Sequence, residues 1–237
     1  RSPAAVLYGT NAISGVVNVI TKEGVEFSDE ISLRGGSHQH YYGSLSIHDT
    51  HISMGASYQN DDGYTYGGVK DELGQDVNKE YQNDLANLFV NFHGKQWHLE
   101  ASYYHSEKEK FGLNPIIQHG GINEHEAFFL DANKALSIGT GTLNLWLRYD
   151  HMNRELHAQR FPNPISGNAI VVDNAVERYS AEVQYKDTLF HDLHYIMGVN
   201  YEYDKTDPMV FVDQSNGSLH PFSPFTQHYS TNNLAVY

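Results

Sequence analysis

Residues 142–150 read Thr-Leu-Asn-Leu-Trp-Leu-Arg-Tyr-Asp, and their period constrains the fold more than any other feature. In an extended chain Leu143, Leu145, Leu147 and Tyr149 point one way, while Asn144, Trp146, Arg148 and Asp150 point the other. The pattern recurs in 51–59, where Ile52, Met54, Ala56 and Tyr58 oppose Ser53, Gly55, Ser57 and Gln59. It recurs again in 96–104, in 179–186 and through Tyr195, Met197, Val199, Tyr201 and Tyr203. A two-residue period makes strands, and no stretch after residue 22 carries the 3.6-residue period of a helix. The expected fold class is therefore all-β and antiparallel, with about ten strands.

Alternation alone leaves a soluble sandwich possible, because its strands also have one apolar and one polar face. Three features favour a membrane wall. The runs hold about 9–12 residues, and a tilted strand crossing a bilayer needs ~9–11, whereas globular strands average ~5–6. The connections alternate in length. Short turns are predicted at His48–Thr50, His93–Lys95, Gly139–Gly141 and Leu189–Asp192, and long loops at 61–79, 106–123, 154–174 and 206–228. Only the link near Ser37–His40 is short where a long loop is due. Tight turns at one end and long loops at the other are the pattern of outer-membrane barrels. Finally, Tyr58, Tyr103, Tyr149, Tyr185, Tyr201 and Tyr203 lie toward strand ends on the apolar side, where an interfacial girdle belongs.

Composition narrows the partners. A formal charge of −14 disfavours nucleic acid. The absence of cysteine removes disulfide frameworks and thiolate metal sites. No run approaches the ~18 apolar residues of a membrane helix.

The opening stretch, RSPAAVLYGTNAISGVVNVITK, places Gly9, Asn11 and Gly15 among small residues before a short Val/Ile run. It resembles the end of the plug domain of TonB-dependent outer-membrane receptors. Arg1, Pro3, Leu7, Tyr8, Gly9, Asn11, Ala12, Gly15, Val16, Asn18, Ile20, Thr21 and Lys22 follow that family's pattern, while Ser2 and Ser14 replace its glycines. The resemblance implies residues 1–24 as the end of a plug and 25–237 as the first part of a transmembrane up-and-down β-barrel, about ten of ~22 strands. It gives Arg1 a plug-to-barrel locking role, with glutamate partners expected on later strands beyond residue 237, and leaves Glu100, Glu182 and Glu202 as solvated carboxylates on the inner wall. It implies TonB with ExbB and ExbD, outer-membrane lipid and lipopolysaccharide as partners, and energy-coupled uptake of a scarce solute. A ferric siderophore leads the ligand classes; haem, cobalamin or another metal chelate are alternatives.

Candidate ligand contacts are sparse. Residues 122–129 group Glu124, His125 and Glu126, with His119 nearby; carboxylates and imidazoles suit zinc, nickel or iron. Tyr64 and Tyr66 sit with Phe161, Phe211, Phe222 and Phe225 in long loops, where they offer aromatic grip on a chelate. Asp61, Asp62, Asp71, Glu72 and Asp76 make the first of those loops acidic, without the spacing of a dedicated calcium loop. No G-x-S-x-G, P-loop or H-E-x-x-H motif occurs. The expectations are no enzymatic activity, no cofactor and no resident metal. An unplugged porin or adhesin barrel accounts for the strands equally well, and a soluble β-sandwich binding module is the third reading.

Overall fold

The structure, a computed structural model, describes residues 28–63, 66–70, 76–79, 81–109, 121–158, 170–189, 193–213, 218–219 and 227–237. All regular structure among them is β: β1 (Glu30–Gly35), β2 (Tyr41–His48), β3 (Ile52–Asp61), β4 (Tyr66–Lys70), β5 (Asp76–Lys79), β6 (Asn83–His93), β7 (Trp97–Glu109), β8 (Gly121–Ile138), β9 (Gly141–Ala158), β10 (Ile170–Leu189), β11 (Leu193–Thr206), β12 (Val210–Asp213) and β13 (Tyr229–Val236). One eleven-stranded sheet runs β1-β2-β3-β6-β7-β8-β9-β10-β11-β13, with β12 added beside β10, and β4-β5 forms a separate hairpin. Every pairing is antiparallel. This is the up-and-down order that the alternating turns predict. The plug segment, residues 1–27, lies outside the described residues, as do Arg1, Tyr64 and His119.

Tight turns fall where the sequence predicts them. Ile138 pairs with Gly141, so Gly139 and Thr140 alone make the β8–β9 turn. Gly139 has φ 61° and Thr140 has no positive φ, which is the glycine-first pattern of two-residue hairpins. The β1–β2 turn instead holds two non-glycine residues at positive φ, His38 (59°) and Gln39 (52°), closed by a 3.2 Å bond from the His40 N–H to the Ser37 carbonyl. Left-handed backbone at a residue with a Cβ is costly, about 1–2 kcal/mol each.

The strands at the sheet centre are longer than the alternation alone suggests. β8 and β9 have 18 residues and β10 has 20, against the ~9–11 that cross a bilayer. The extra length lies at the long-loop end, so the predicted loops 106–123 and 154–174 are partly strand. The first long loop contains β4-β5, and the last contributes β12 to β10.

The sheet has no core of its own. Among the described residues, substantial contacts join only hydrogen-bonded neighbours. Among the described residues the largest fully buried side chain is Ser106. The apolar rows stay open: Leu147 is 63% exposed, Val183 47% and Leu130 41%. A soluble sheet of this size would cover such a face with a second layer.

The open apolar face carries two aromatic rows. Toward the long loops, Tyr41, Tyr58, Tyr103, Phe128, Tyr149, Tyr179 and Tyr203 share that face, with ring centroids 6.1 Å apart for Phe128–Tyr149 and 4.9 Å for Tyr149–Tyr179. Toward the tight turns lie Phe92, Trp97, Tyr185 and Tyr195. Lys134 sits 4.5 Å over the Trp97 ring in that lower row. Between the rows, outward positions of the described strands hold Leu, Val, Ile, Met, Ala, Gly, aromatic residues and Asn232, with no formal charge.

Both rows climb across the sheet in the same sense. From Tyr41 on β2 to Tyr203 on β11 the upper row shifts six residues in register over seven strand steps. From Phe92 on β6 to Tyr195 on β11 the lower row shifts six over five. About one residue per strand, with ~3.3 Å rise and ~4.8 Å spacing, corresponds to a tilt of roughly 35° against the plane of the rows. On β10, Glu177 and Asp187 flank the apolar stretch ten residues apart. That separation gives ~33 Å along the strand and ~27 Å in height at this tilt, close to the ~25 Å band of outer-membrane barrels.

Candidate functional site

Two parts of the sheet concentrate chemistry: the polar face, and the rim beyond the upper aromatic row. Strand alternation builds the polar face from Glu100 and Tyr104 on β7, Asp131 on β8, Arg148 and Asp150 on β9, Arg178 and Glu182 on β10, and Glu202 and Asp204 on β11. A charge ladder crosses four strands there. Arg148 Nε donates to Asp131 Oδ2 at 2.9 Å, and Arg178 Nε donates to Asp204 Oδ1 at 2.6 Å with Glu202 Oε2 at 3.8 Å. Asp150 is the register partner of Arg178. Glu182 accepts from the Tyr237 hydroxyl, to which Gln184 Nε2 donates at 3.0 Å. In this central stretch six carboxylates, Glu100, Asp131, Asp150, Glu182, Glu202 and Asp204, face two guanidinium groups, Arg148 and Arg178. The surface is polar, hydrogen-bonded and acidic, suited to contact with water and small cations. Glu100, Glu182 and Glu202 share the polar face of the sheet.

Register brings a second set of acids together on the opposite face. Asp84, Glu107, Glu124, Glu155 and Asp173 stand directly opposite one another on five successive strands, β6 to β10. Glu124 lies four residues beyond Phe128, and Glu155 six beyond Tyr149, about 11 and 16 Å above the aromatic row at ~2.7 Å of height per tilted residue. Two imidazoles join them: His157 Nε2 is 2.6 Å from Glu155 Oε1, and His105 Nδ1 is 3.8 Å from Glu124 Oε1. One row lower, the Tyr103 hydroxyl donates to Glu126 Oε1 at 2.9 Å.

The sequence-predicted contacts are therefore divided. Glu124 and Glu126 share the rim face, but His125 lies on the other face, opposite Arg154 and Ser106. Neighbours in a strand point apart, so residues 124–126 do not converge on one ligand. Tyr66 begins β4, and its side chain, with Tyr64, His119 and Arg1, lies outside what the structure describes. Glu155 and His157 were not singled out from sequence. Their same-face spacing was legible, but their position against Glu124 follows only from the β8–β9 register.

No family model matches this chain, and no curated protein matches it. Among solved structures, OmpT (in-vitro folded), an outer membrane protein of Vibrio cholerae in its trimer form, aligns with 11% identity and a TM-score of 0.38. The alignment covers 84% of this chain and 56% of that one, so the chain spans about half the length of that protein. The resemblance to TonB-dependent receptors is corrected by these findings. No family model supports it, and the described residues form an antiparallel sheet with no plug domain. Short motifs of glycine and small residues before a β run recur wherever backbone packs closely, and here the motif alone carried the assignment. The expectation of no enzymatic activity is corrected as well. It rested only on missing soluble-enzyme motifs, and an absent motif decides nothing about activity.

Proposed function

We propose that this chain forms part of the wall of a bacterial outer-membrane β-barrel of the passive, porin type, its apolar face on lipid and its acidic face on an aqueous lumen. One observation carries the reading. An outward band without formal charge lies between two aromatic rows, ~16 Å apart on β10 within the ~27 Å that separates Glu177 from Asp187, and is covered by nothing among the described residues. In water that face would expose a contiguous apolar patch far beyond the few hundred Å² that soluble monomers tolerate. Against lipid it is the favoured surface, and closure of the sheet satisfies the edges at β1 and β13. The polar face supports the second half of the reading. Its ion pairs stay partly solvated, with the Arg148 side chain 48% and the Arg178 side chain 40% exposed. Excess carboxylate there favours small cations over anions in transit.

Reconstitution of the full-length protein in liposomes tests this. Small neutral sugars enter, and a salt gradient gives a reversal potential of cation-selective sign. A protein that stays monomeric in water without detergent, or liposomes that remain sealed to sugars, would overturn the proposal.

A further inference from the structure

The geometry points to a divalent transition-metal site at the outer rim, with Glu124, Glu155 and His157 as protein ligands and a fourth position open to solvent. One ligand atom from each of the three side chains lies within 4.8 Å of the other two. Donors around a tetrahedral zinc ion, bound at ~2.0–2.2 Å, stand about 3.3–3.6 Å from one another. The gap closes by rotamer adjustment of two half-exposed glutamates on a fixed backbone. Glu155 and His157 are two apart on β9 and share a face, while Glu124 is the direct register partner of Glu155 across the β8–β9 pairing. The backbone pairing thus sets the ligand spacing before any metal arrives.

The charges around the cluster favour a cation. Glu124 has Glu107 directly opposite on one side and Glu155 on the other, and Glu155 also faces Asp173. Like charges directly opposite across a strand pair are destabilising. Glu124 and Glu155 are each met by an imidazole, from His105 at 3.8 Å and His157 at 2.6 Å. Imidazole with carboxylate selects zinc, nickel or copper over calcium or magnesium, which take oxygen alone. His105, on the far side of Glu124, is placed to orient that carboxylate rather than to reach the ion. The site needs only the β7–β9 pairing, so its failure and the failure of the membrane reading are separate outcomes.

Calorimetric titration of the metal-stripped full-length protein in detergent with zinc chloride is the test, with cobalt(II) absorbance as a second readout. The expected result is one saturable zinc site per chain and a four-coordinate cobalt spectrum. His157→Ala and Glu155→Gln should each weaken zinc binding at least ~10-fold, while Glu177→Gln leaves it unchanged. Should His157→Ala misfold, His157→Gln replaces it. The inference is overturned by absence of a saturable site, by equal affinity in the variants, or by calcium displacing zinc at comparable concentration. The last result would mean that the acidic row holds counterions diffusely.

Discussion

Leu147 offers a direct trial of which solvent touches the apolar face. On β9 it lies four residues below His151, the register partner of Glu177 at the upper limit of the apolar stretch, and six above Gly141, where the strand begins at the lower limit. At ~2.7 Å of height per tilted residue this puts Leu147 about 11 Å inside the upper limit and 16 Å from the lower, near the bilayer midplane. Its side chain is 63% exposed and points away from the sheet. Leu147→Arg then brings a guanidinium into hydrocarbon without disturbing any packed neighbour. The expected cost is about 2–4 kcal/mol at the midplane, falling to ~0–1 near the interface. Asn153, on the same face but above the upper aromatic row, supplies the interfacial control. Equilibrium unfolding of full-length protein in lipid vesicles, by guanidinium chloride, should show Leu147→Arg at least ~2 kcal/mol less stable than Asn153→Arg. If water bathes this face, the leucine is an exposed surface residue and either change stays within about 0.5 kcal/mol. Equal stability of the two variants refutes the membrane reading of the sheet.

Other expectations follow from local geometry. A Cβ added at Gly198 would lie 2.7 Å from the Tyr237 ring and 2.8 Å from the Val183 carbonyl oxygen; Gly198→Ala should cost about 1–3 kcal/mol, against little for Gly35→Ala, where nothing stands within 4 Å. Gln39→Gly removes a Cβ from a left-handed position and should raise the denaturant midpoint by ~1 kcal/mol equivalent at unchanged slope. Arg178→Met leaves Asp204, Glu202 and Asp150 facing no cation on β10 and should increase cation selectivity in the reversal-potential assay. Asp49, in the β2–β3 turn, is held below the usual carboxylate range, chiefly by the Thr50 N–H donating at 2.7 Å and also by the Thr50 hydroxyl at 2.9 Å. A depressed folded pKa contributes stability above the ordinary value of ~3.9 and loses it as pH falls through the folded value. The stability gap between wild type and Asp49→Ala should therefore narrow on acidification below about pH 4, and a gap constant with pH refutes that assignment.

The strands were legible because alternation is a property of the chain itself. Leu143 to Tyr149 must share a face in any extended conformation, and Gly139–Thr140 must turn tightly to keep the next run in register. The aromatic ends and the acids at 100, 182 and 202 follow from the same parity. The rim was not legible. Glu124, His125 and Glu126 look like a cluster on paper because they are consecutive, and a strand separates consecutive side chains. The plug resemblance misled for a related reason: a local motif was asked to identify a whole protein.

By itself, then, the sequence determined the element type, the antiparallel order and which side of each strand is greasy, since these depend on neighbours one to four residues apart. The tertiary structure decided how far β8, β9 and β10 run beyond the aromatic row, that β12 returns to β10, and that Glu155 and His157 on β9 meet Glu124 on β8. Register between strands is a sum over whole-length pairings, and a shift of one residue would turn every one of those side chains to the opposite face. No local pattern holds that information; the paired backbones do.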